Sequence, residues 1–305
     1  MNVAYNQGRL VYHYTRMDAF LNIIEEMHDG KLYLRASNMH GLNDASEYIY
    51  GVKQLRRILP AIERKIQDEG YKIDNHLLIS KALDEDEKKY SYAFDERFAD
   101  FMLKGITSPY VISTSSMGDS IPMWSMYGDA GKGVAIGIDV ANCIVENKTH
   151  NEVLMVLNDG PQAFKLVNTL SLEHPAAIVG KGDYIDYLNK AKDMTNPIEI
   201  EKLMITTFGK MASYTAPLLK HPAFNYENEW RLLVFEQKVG DVNYGVNRKG
   251  NLTSYIKLSL PTEKMRKLII GPCCNGPYQQ EIIRKLLYDK GICHCKVTKS
   301  KVPLR

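Results

Sequence analysis

The sequence has little net charge, no long apolar run and no tract of low complexity. Its 39 Lys and Arg residues nearly balance its 36 Asp and Glu residues, which leaves a formal charge of +3. This balance gives no bulk attraction to nucleic acid or to an anionic membrane. The most apolar stretch, residues 134–145, contains Asp139 and Asn142 and is shorter than the roughly 20 residues of a membrane-spanning helix. Because the first ten residues are not apolar, we also expect no secretory signal.

The cysteines lack the spacing of a zinc site or of a disulfide framework. They are Cys143, Cys273, Cys274, Cys293 and Cys295. Their number is odd, no pair has CxxC spacing, and a chain of this length does not need covalent cross-links in order to fold. In a strand, His294 would point away from the cysteines on either side of it. We therefore expect small buried thiols, no bound metal and a reducing, cytoplasmic compartment.

Strand-like and helix-like segments alternate irregularly, with strands expected near both ends. The patterns predict strands at 10–14, 31–35, 110–114, 133–139, 230–235, 267–270 and 293–297, and helices at 18–27, 198–219 and 279–288. Asp44 followed by Glu47 is typical of a helix start, and the charged chain from there to about Phe101 is expected to be helical. The chain is thus predicted to be a single α+β domain over residues 1–305. One mixed sheet would carry a helical insertion at about 52–105 and a mixed or helical segment at about 140–220.

The most informative polar pattern lies at residues 226–235. Side chains alternate between the two faces of a strand, so Trp230 and alternate residues after it are expected to face the core. Glu227, Glu229 and Arg231 would then share the opposite face. Two carboxylates beside a guanidinium suit a polar cleft in which a cation keeps Glu229 ionised. The same pattern is also typical of an exposed edge strand with an ion pair, so both interpretations stay open.

Three other segments contain candidate binding residues, each with a structural alternative. His13 and Thr15 lie on an aromatic and apolar strand, where a histidine is typical of a hydrogen-bonded core position. Ser113 lies where a strand runs into hydroxyl residues, as at an ordinary strand end. Trp124 and Tyr127 share a helical face and suit either core packing or stacking on a flat ligand.

Taken in the order in which they occur along the chain, these segments resemble the NAD-binding elements of ADP-ribosyltransferases. The matching residues are His13, Thr15, Gly30, Leu32, Ser113, Thr114, Ser115, Glu227 and Glu229. One class of that superfamily opens with histidine, and another combines arginine with S-T-S and E-x-E. This chain has His13 where the second class has arginine. The resemblance implies an ADP-ribosyltransferase-like core in the predicted sheet.

The chain also resembles, over nearly its whole length, a widespread prokaryotic family described only as a domain of unknown function. The shared elements are residues 12–15 (YHYT), 42–44 with Glu47, 123–124 with Tyr127, 133–139 (GVAIGID), 227–231, 269–272 (IIGP) and 300–303. That family supplies no reaction, so any activity inferred for this chain comes from the more distant similarity.

The ADP-ribosyltransferase resemblance implies displacement of nicotinamide from NAD, used as a substrate, through an oxocarbenium-like transition state. Glu229 would hold the ribose 2′-hydroxyl, and Glu227 would face the acceptor. Arg231 would tune the two carboxylates or bind the pyrophosphate.

The remaining candidates would bind the cofactor. His13 would contact the nicotinamide ribose with Thr15 beside it, Ser113 would orient the site, and Trp124 or Tyr127 would stack on the nicotinamide. The acceptor stays open as a protein, a nucleic acid or water. A role in phage defence or as a toxin would suit the prokaryotic family of unknown function, but no residue of this chain indicates either role.

Three other functions are also open. The first is a non-catalytic nucleotide sensor, suggested by His13 in place of arginine. The second is a hydrolase or nuclease in the same cleft, using Glu227, Glu229 and His13 or His221 with a metal, although no Asp-rich or His-x-x-x-His pattern occurs. The third is a structural protein with the E-x-E strand at a sheet edge.

Overall fold

The structure, a computed structural model, describes residues 10–39, 46–90, 110–140, 145–146, 152–156, 163–168, 181–234, 242–246 and 250–303. The strands are β1 (Leu10–Thr15), β2 (Lys31–Asn38), β3 (Tyr110–Ser115), β4 (Val134–Asp139), β5 (Val145–Glu146), β6 (Glu152–Val156), β7 (Ala163–Asn168), β8 (Glu229–Val234), β9 (Val242–Val246), β10 (Leu252–Pro261), β11 (Met265–Ile270) and β12 (Lys296–Lys299). The α-helices are α1 (Met17–Glu25), α2 (Ser46–Asp68), α3 (Ile79–Tyr90), α4 (Ile121–Met126), α5 (Lys181–Ala191), α6 (Pro197–Thr215) and α7 (Gly276–Asp289).

The described strands form one mixed sheet. Nine of them follow the order β12-β11-β4-β1-β3-β8-β7-β6-β5, and β2 pairs with β3 and leads to β10 and β9. Strands β11 and β12 are parallel, whereas β1 is antiparallel to β3 and β4, and β8 is antiparallel to β3 and β7. The predicted α+β class with a single mixed sheet is confirmed.

The chain divides into two compact units. Unit 1 comprises Met1–Ser37, Tyr110–Asn168 and Phe224–Arg305, and it contains nearly all of the sheet with α1, α4 and α7. Unit 2 comprises Asn38–Pro109 and Thr169–Ala223, and it contains α2, α3, α5 and α6. Helices α2 and α3 account for the described part of the insertion predicted at about 52–105, and both strands (β5 to β7) and helices (α5 and α6) occur in the mixed segment predicted at about 140–220. The prediction of a single domain stays a prediction.

Apolar side chains cover both faces of the sheet in unit 1. On one face, Val11 of β1 belongs to a large buried cluster with Phe20 and Ile24 of α1. Phe20 and Ile24 are four residues apart and so share a helical face, and burying such a side chain contributes about 1.5–3 kcal/mol. On the other face, Tyr12 and Trp124 belong to a second buried cluster. Alternation along β1 thus supplies both clusters, with α1 packing on one face and α4 on the other.

A buried carboxylate organises the helices of unit 2. Glu63 of α2 is 3% exposed and accepts hydrogen bonds from the backbone N–H and the hydroxyl of Ser80. Tyr184 Oη of α5 donates to Glu63 Oε1 at 2.7 Å. Burial raises the pKa of the Tyr184 hydroxyl, so it stays a donor.

In the part of the chain that the structure describes, no helix combines the length and the apolar character that crossing a bilayer requires.

Candidate functional site

Strand β8 carries an ion pair that is almost completely enclosed. Glu229 and Arg231 are two residues apart and share a face, as the alternation predicts. Arg231 Nε donates to Glu229 Oε1 at 2.9 Å, and Arg231 Nη2 donates to Oε2 at 3.0 Å. Glu229 is 4% exposed and Arg231 is 1% exposed. Because the pair is bidentate and shielded from water, its electrostatic interaction is much stronger than that of a surface pair.

Glu227 does not lie on this strand, which corrects the expectation that it shares a face with Glu229 and Arg231. It ends a short 3₁₀ helix, Pro222–Glu227, and β8 begins two residues later. Asn228 between them has a φ of +44°, in the left-handed region. Asparagine enters this region at a lower cost than most residues, so the chain turns here instead of continuing as a strand.

The Glu227 carboxylate and the turn beside it are held by several hydroxyl groups. Glu227 is 2% exposed, and Tyr127 Oη donates to its Oε1 at 3.0 Å. Ser115 Oγ donates to the Glu227 backbone carbonyl at 2.6 Å and accepts from the Met117 N–H at 3.0 Å. Tyr14 Oη donates to the Met117 carbonyl at 2.6 Å, and burial raises the pKa of this hydroxyl. The end of β3 therefore positions Glu227.

Strand pairing places further polar side chains beside Glu229. Ser115 of β3 lies opposite Tyr12 of β1 and opposite Glu229 of β8. Ser113 lies opposite Arg231. Directly opposed residues of antiparallel strands point to the same side of a sheet. These five residues therefore define one face, which we call the Glu229 face.

His13 and Thr15 are not brought to the Glu229 face. They alternate with Tyr12 along β1 and so point to the other side of the sheet. His13 is half-buried, and its Nδ1 lies 3.0 Å from the Ser113 carbonyl oxygen. Because a carbonyl oxygen only accepts, Nδ1 carries the proton in this contact. Thr15 is 7% exposed. Contrary to the prediction, the fold does not place the side chains of His13 and Thr15 beside Glu229.

The Trp124 indole is enclosed, so it offers no open ring face for a flat ligand. It is 0% exposed, and the Tyr14 ring meets it edge to face with centroids 4.8 Å apart. Its Nε1 donates to Asp119 Oδ1 at 2.8 Å. Asp119 also accepts from the Ser300 hydroxyl at 2.6 Å and from the Lys301 N–H at 2.8 Å. Sequence reasoning missed Asp119, although a buried indole N–H requires a nearby acceptor.

The cysteines only partly match the expectation of buried thiols. Cys274 and Cys295 are half-buried against the core of unit 1, and burial raises the pKa of Cys295 to about 12. Cys273 and Cys293 are exposed, and Cys143 lies outside the described residues. Within the described ranges, no group of three or more His, Cys, Asp or Glu side chains is placed to hold a metal ion.

Comparison with known families identifies one similarity. Residues 123–232 match the model of a family described as "Protein of unknown function (DUF2971)". This confirms the resemblance to a family of unknown function over that stretch. The matched stretch includes Trp124, Tyr127, Glu227, Glu229 and Arg231. No curated protein and no solved structure matches the chain.

Proposed function

We propose that the Glu229 face and the adjoining Glu227 bind NAD and cleave its nicotinamide–ribose bond, transferring the ADP-ribosyl group to an acceptor. The observation that carries this proposal is a pair of enclosed carboxylates two residues apart in the chain. Glu229 accepts hydrogen bonds from the Arg231 guanidinium, and Glu227 accepts one from the Tyr127 phenol. Two carboxylates suit a reaction that needs one group to stabilise positive charge and another to move a proton.

In this mechanism the ribose C–N bond breaks as positive charge develops on the ribose. Because Glu229 is 4% exposed, NAD reaches it only when the enclosing side chains move aside. Glu229 then stabilises that charge and accepts a hydrogen bond from the 2′-hydroxyl, which replaces one of its bonds to Arg231. Arg231 keeps the remaining bond and turns its other donors toward the pyrophosphate. The binding of NAD thus exchanges one charge-assisted hydrogen bond for another.

Glu227 is assigned the acceptor side of the reaction. It takes the proton of the attacking acceptor group as the new bond to the ribose carbon forms. Tyr127 orients the carboxylate through the 3.0 Å hydrogen bond, and Ser115 fixes the backbone at the same residue. Ser113, opposite Arg231, orients the site from β3. His13, Thr15 and Trp124 receive no direct contact with NAD in this proposal.

A second candidate function is nucleotide binding without turnover. Both carboxylate oxygens of Glu229 accept hydrogen bonds from Arg231, which favours a site whose charges serve binding rather than chemistry. Under this alternative NAD would bind and raise the melting temperature of the protein, and no nicotinamide would be released.

The test is nicotinamide release from NAD, followed by mass spectrometry. Wild type is compared with Glu227→Gln and Tyr127→Phe, with Glu281→Gln on the exposed side of α7 as the matched control. We expect Glu227→Gln to lose about 100-fold or more in rate, Tyr127→Phe to lose less, and the control to keep the wild-type rate. Circular dichroism and thermal melting establish that each variant is folded.

Binding and turnover separate the two candidates. If wild type binds NAD but releases no nicotinamide, the sensor function holds and the transferase is excluded. If wild type neither binds NAD nor cleaves it, both proposals fail.

A further inference from the structure

A cavity of about 690 Å³ in unit 2 is lined mainly by helices α3 and α6. Ile79 and Leu83 of α3 are four residues apart and share a helical face. Ile200 and Met204 of α6 have the same spacing. These four side chains are buried and form the floor of the cavity, which we call the α3–α6 groove. Small-molecule sites usually enclose about 300–1,000 Å³, so the groove has the size of such a site.

The rim of the α3–α6 groove carries two carboxylates. Glu85 of α3 and Glu201 of α6 line the cavity, and both are exposed. The remaining ionisable side chain among the described lining residues is His76. Lys81 Nζ lies 3.9 Å from Glu85 Oε1, which is longer than a hydrogen bond, and both side chains are more than half exposed. A cationic ligand can therefore displace Lys81 at little cost, and the two carboxylates attract positive charge to the rim.

The floor of the groove accepts an apolar ligand body and disfavours a polar one. Its side chains are aliphatic or thioether groups, so a buried sugar or nucleotide base would lose hydrogen bonds to water without replacing them. Met194 and Met204 adapt their shape to a neighbour, which suits apolar bodies of different outlines. A cation held at the exposed rim keeps part of its contact with water and avoids the cost of burial. The ligand that fits is an apolar body with one positive charge at its end.

The extent of the floor favours a small molecule over a helix of a partner protein. The buried floor residues span five positions on each helix, which is about 6 Å. A docked helix uses anchors at i, i+3, i+4 and i+7, which extend over about 10 Å. We propose that the α3–α6 groove binds a small hydrophobic amine, with its apolar body on the floor and its protonated amine at Glu85 and Glu201. This inference goes beyond the proposed function and does not depend on it.

The experiment compares three ligands that share a naphthalene ring and differ in charge, by isothermal titration calorimetry at neutral pH. Naphthylmethylamine is a cation, naphthylmethanol is neutral and naphthoate is an anion. We expect wild type to bind the amine about fivefold more tightly than the alcohol, which is the effect of a partly exposed ion pair, and to bind the anion most weakly. The double variant Glu85→Gln/Glu201→Gln should lose that preference. Glu199→Gln, which removes a carboxylate of α6 outside the cavity, should keep it.

A variant that fills the groove tests where the ligands bind. Ala82 lines the cavity and is half-buried, so Ala82→Phe should weaken the binding of amine and alcohol alike by about tenfold or more, because the apolar body is no longer buried on the floor. Circular dichroism establishes that each variant is folded, and the double charge variant tests the proposal without changing the floor.

Three outcomes with the naphthalene ligands would overturn the proposal: equal affinities for all three, no binding by wild type, or wild-type affinity in folded Ala82→Phe. Binding of a synthetic amphipathic helix of Leu and Lys in place of the amine would also overturn it, and would identify the groove as a protein-docking site.

Discussion

The Glu229–Arg231 pair concentrates two charges where water is excluded, and each charge depends on the other. Removing one partner of such a pair leaves an uncompensated buried charge and costs about 3–5 kcal/mol, whereas replacing both with apolar residues costs far less. We therefore expect Glu229→Leu and Arg231→Met each to lower the free energy of unfolding by about that amount. The double variant should lose less than either single variant, and urea unfolding of the three proteins measures the difference.

The exposed pair Lys285–Asp289 of α7 provides the matched control. Its two side chains are 75% and 52% exposed. Such pairs contribute about 0.3–0.5 kcal/mol, so Lys285→Met and Asp289→Leu should each change the stability only slightly. Losses at Glu229 and Arg231 that are no larger than these would contradict the account of the enclosed pair.

Ala130 is a second residue whose local conformation predicts a measurable effect. It has a φ of +50° in the turn after α4, between Asp129 at +54° and Gly131 at +83°. A non-glycine residue in this region costs roughly 1–2 kcal/mol, and glycine adopts it freely. We expect Ala130→Gly to raise the free energy of unfolding by about 1 kcal/mol, as measured by urea unfolding.

The same substitution in a helix should have the opposite sign. Ala19 lies within α1, where glycine lowers stability by about 0.5–1 kcal/mol relative to alanine. If Ala130→Gly and Ala19→Gly destabilise the protein equally, the left-handed turn at Ala130 does not carry strain.

For single residues, the sequence predicted the contacts that follow from strand periodicity and missed those that follow from a turn. The shared face of Glu229 and Arg231 required only alternation along β8. The position of Glu227 depends on the left-handed backbone of Asn228, and a single asparagine does not show in advance that it adopts that conformation. The opposite orientation of His13 was available from alternation along β1, once the pairing of Tyr12 with Ser115 is known.

Among the elements, β4 packs so closely against β1 that one added methyl group is expected to disturb both. A Cβ atom at Gly133, just before β4, would lie 2.1 Å from the Thr15 carbonyl oxygen. That oxygen belongs to the backbone, so relief requires the strands to move apart. We expect Gly133→Ala to lower the free energy of unfolding by about 2–3 kcal/mol, because overpacking a close contact costs that much. Differential scanning calorimetry would show a lower melting temperature.

Gly182 in the first turn of α5 is the control for this effect. A Cβ atom there meets nothing within 4 Å. Gly182→Ala should therefore stabilise the protein slightly, by up to about 1 kcal/mol, through higher helix propensity. Equal and small changes at the two glycines would show that the approach of β4 to β1 is looser than the structure indicates.

The elements with strong periodicity were predictable, and their interruptions were not. Strands at β1, β3, β4 and β11 and helices at α1 and α7 match the predicted patterns within a few residues. The helix predicted to run from residue 44 to 101 is interrupted, because α2 ends at Asp68 and Gly70 follows with a φ of +96°. Residues 91–101 lie outside the described part of that prediction.

The last strand and the weakly patterned strands differ from the predictions for physical reasons. The strand expected at 293–297 is β12 at Lys296–Lys299, because a turn follows Gly291 with a φ of +76°. Strands β5, β6, β7, β9 and β10 had no predicted counterpart. Their place in the sheet is set by long-range pairing, such as that of β7 with β8, which local patterns do not encode.

For the molecule as a whole, composition and periodicity predicted the class but not the arrangement. The α+β class follows from alternating strand and helix patterns, whereas the sheet order depends on which distant strands pair. The ADP-ribosyltransferase-like core and the cleavage of NAD stay predictions. Both predictions require Glu227, which lies at a turn, and Glu229, which lies on β8, to act in the same reaction.

The rate of nicotinamide release by Glu227→Gln, Glu229→Gln and the double variant tests this dependence most directly. Residues that act as a unit have strongly non-additive effects on rate. We predict that each folded single variant loses about 100-fold or more, and that the double variant is no more than about tenfold slower than the slower single variant. Wild type that releases no nicotinamide, or losses that multiply in the double variant, would contradict a single site in which both carboxylates act on NAD.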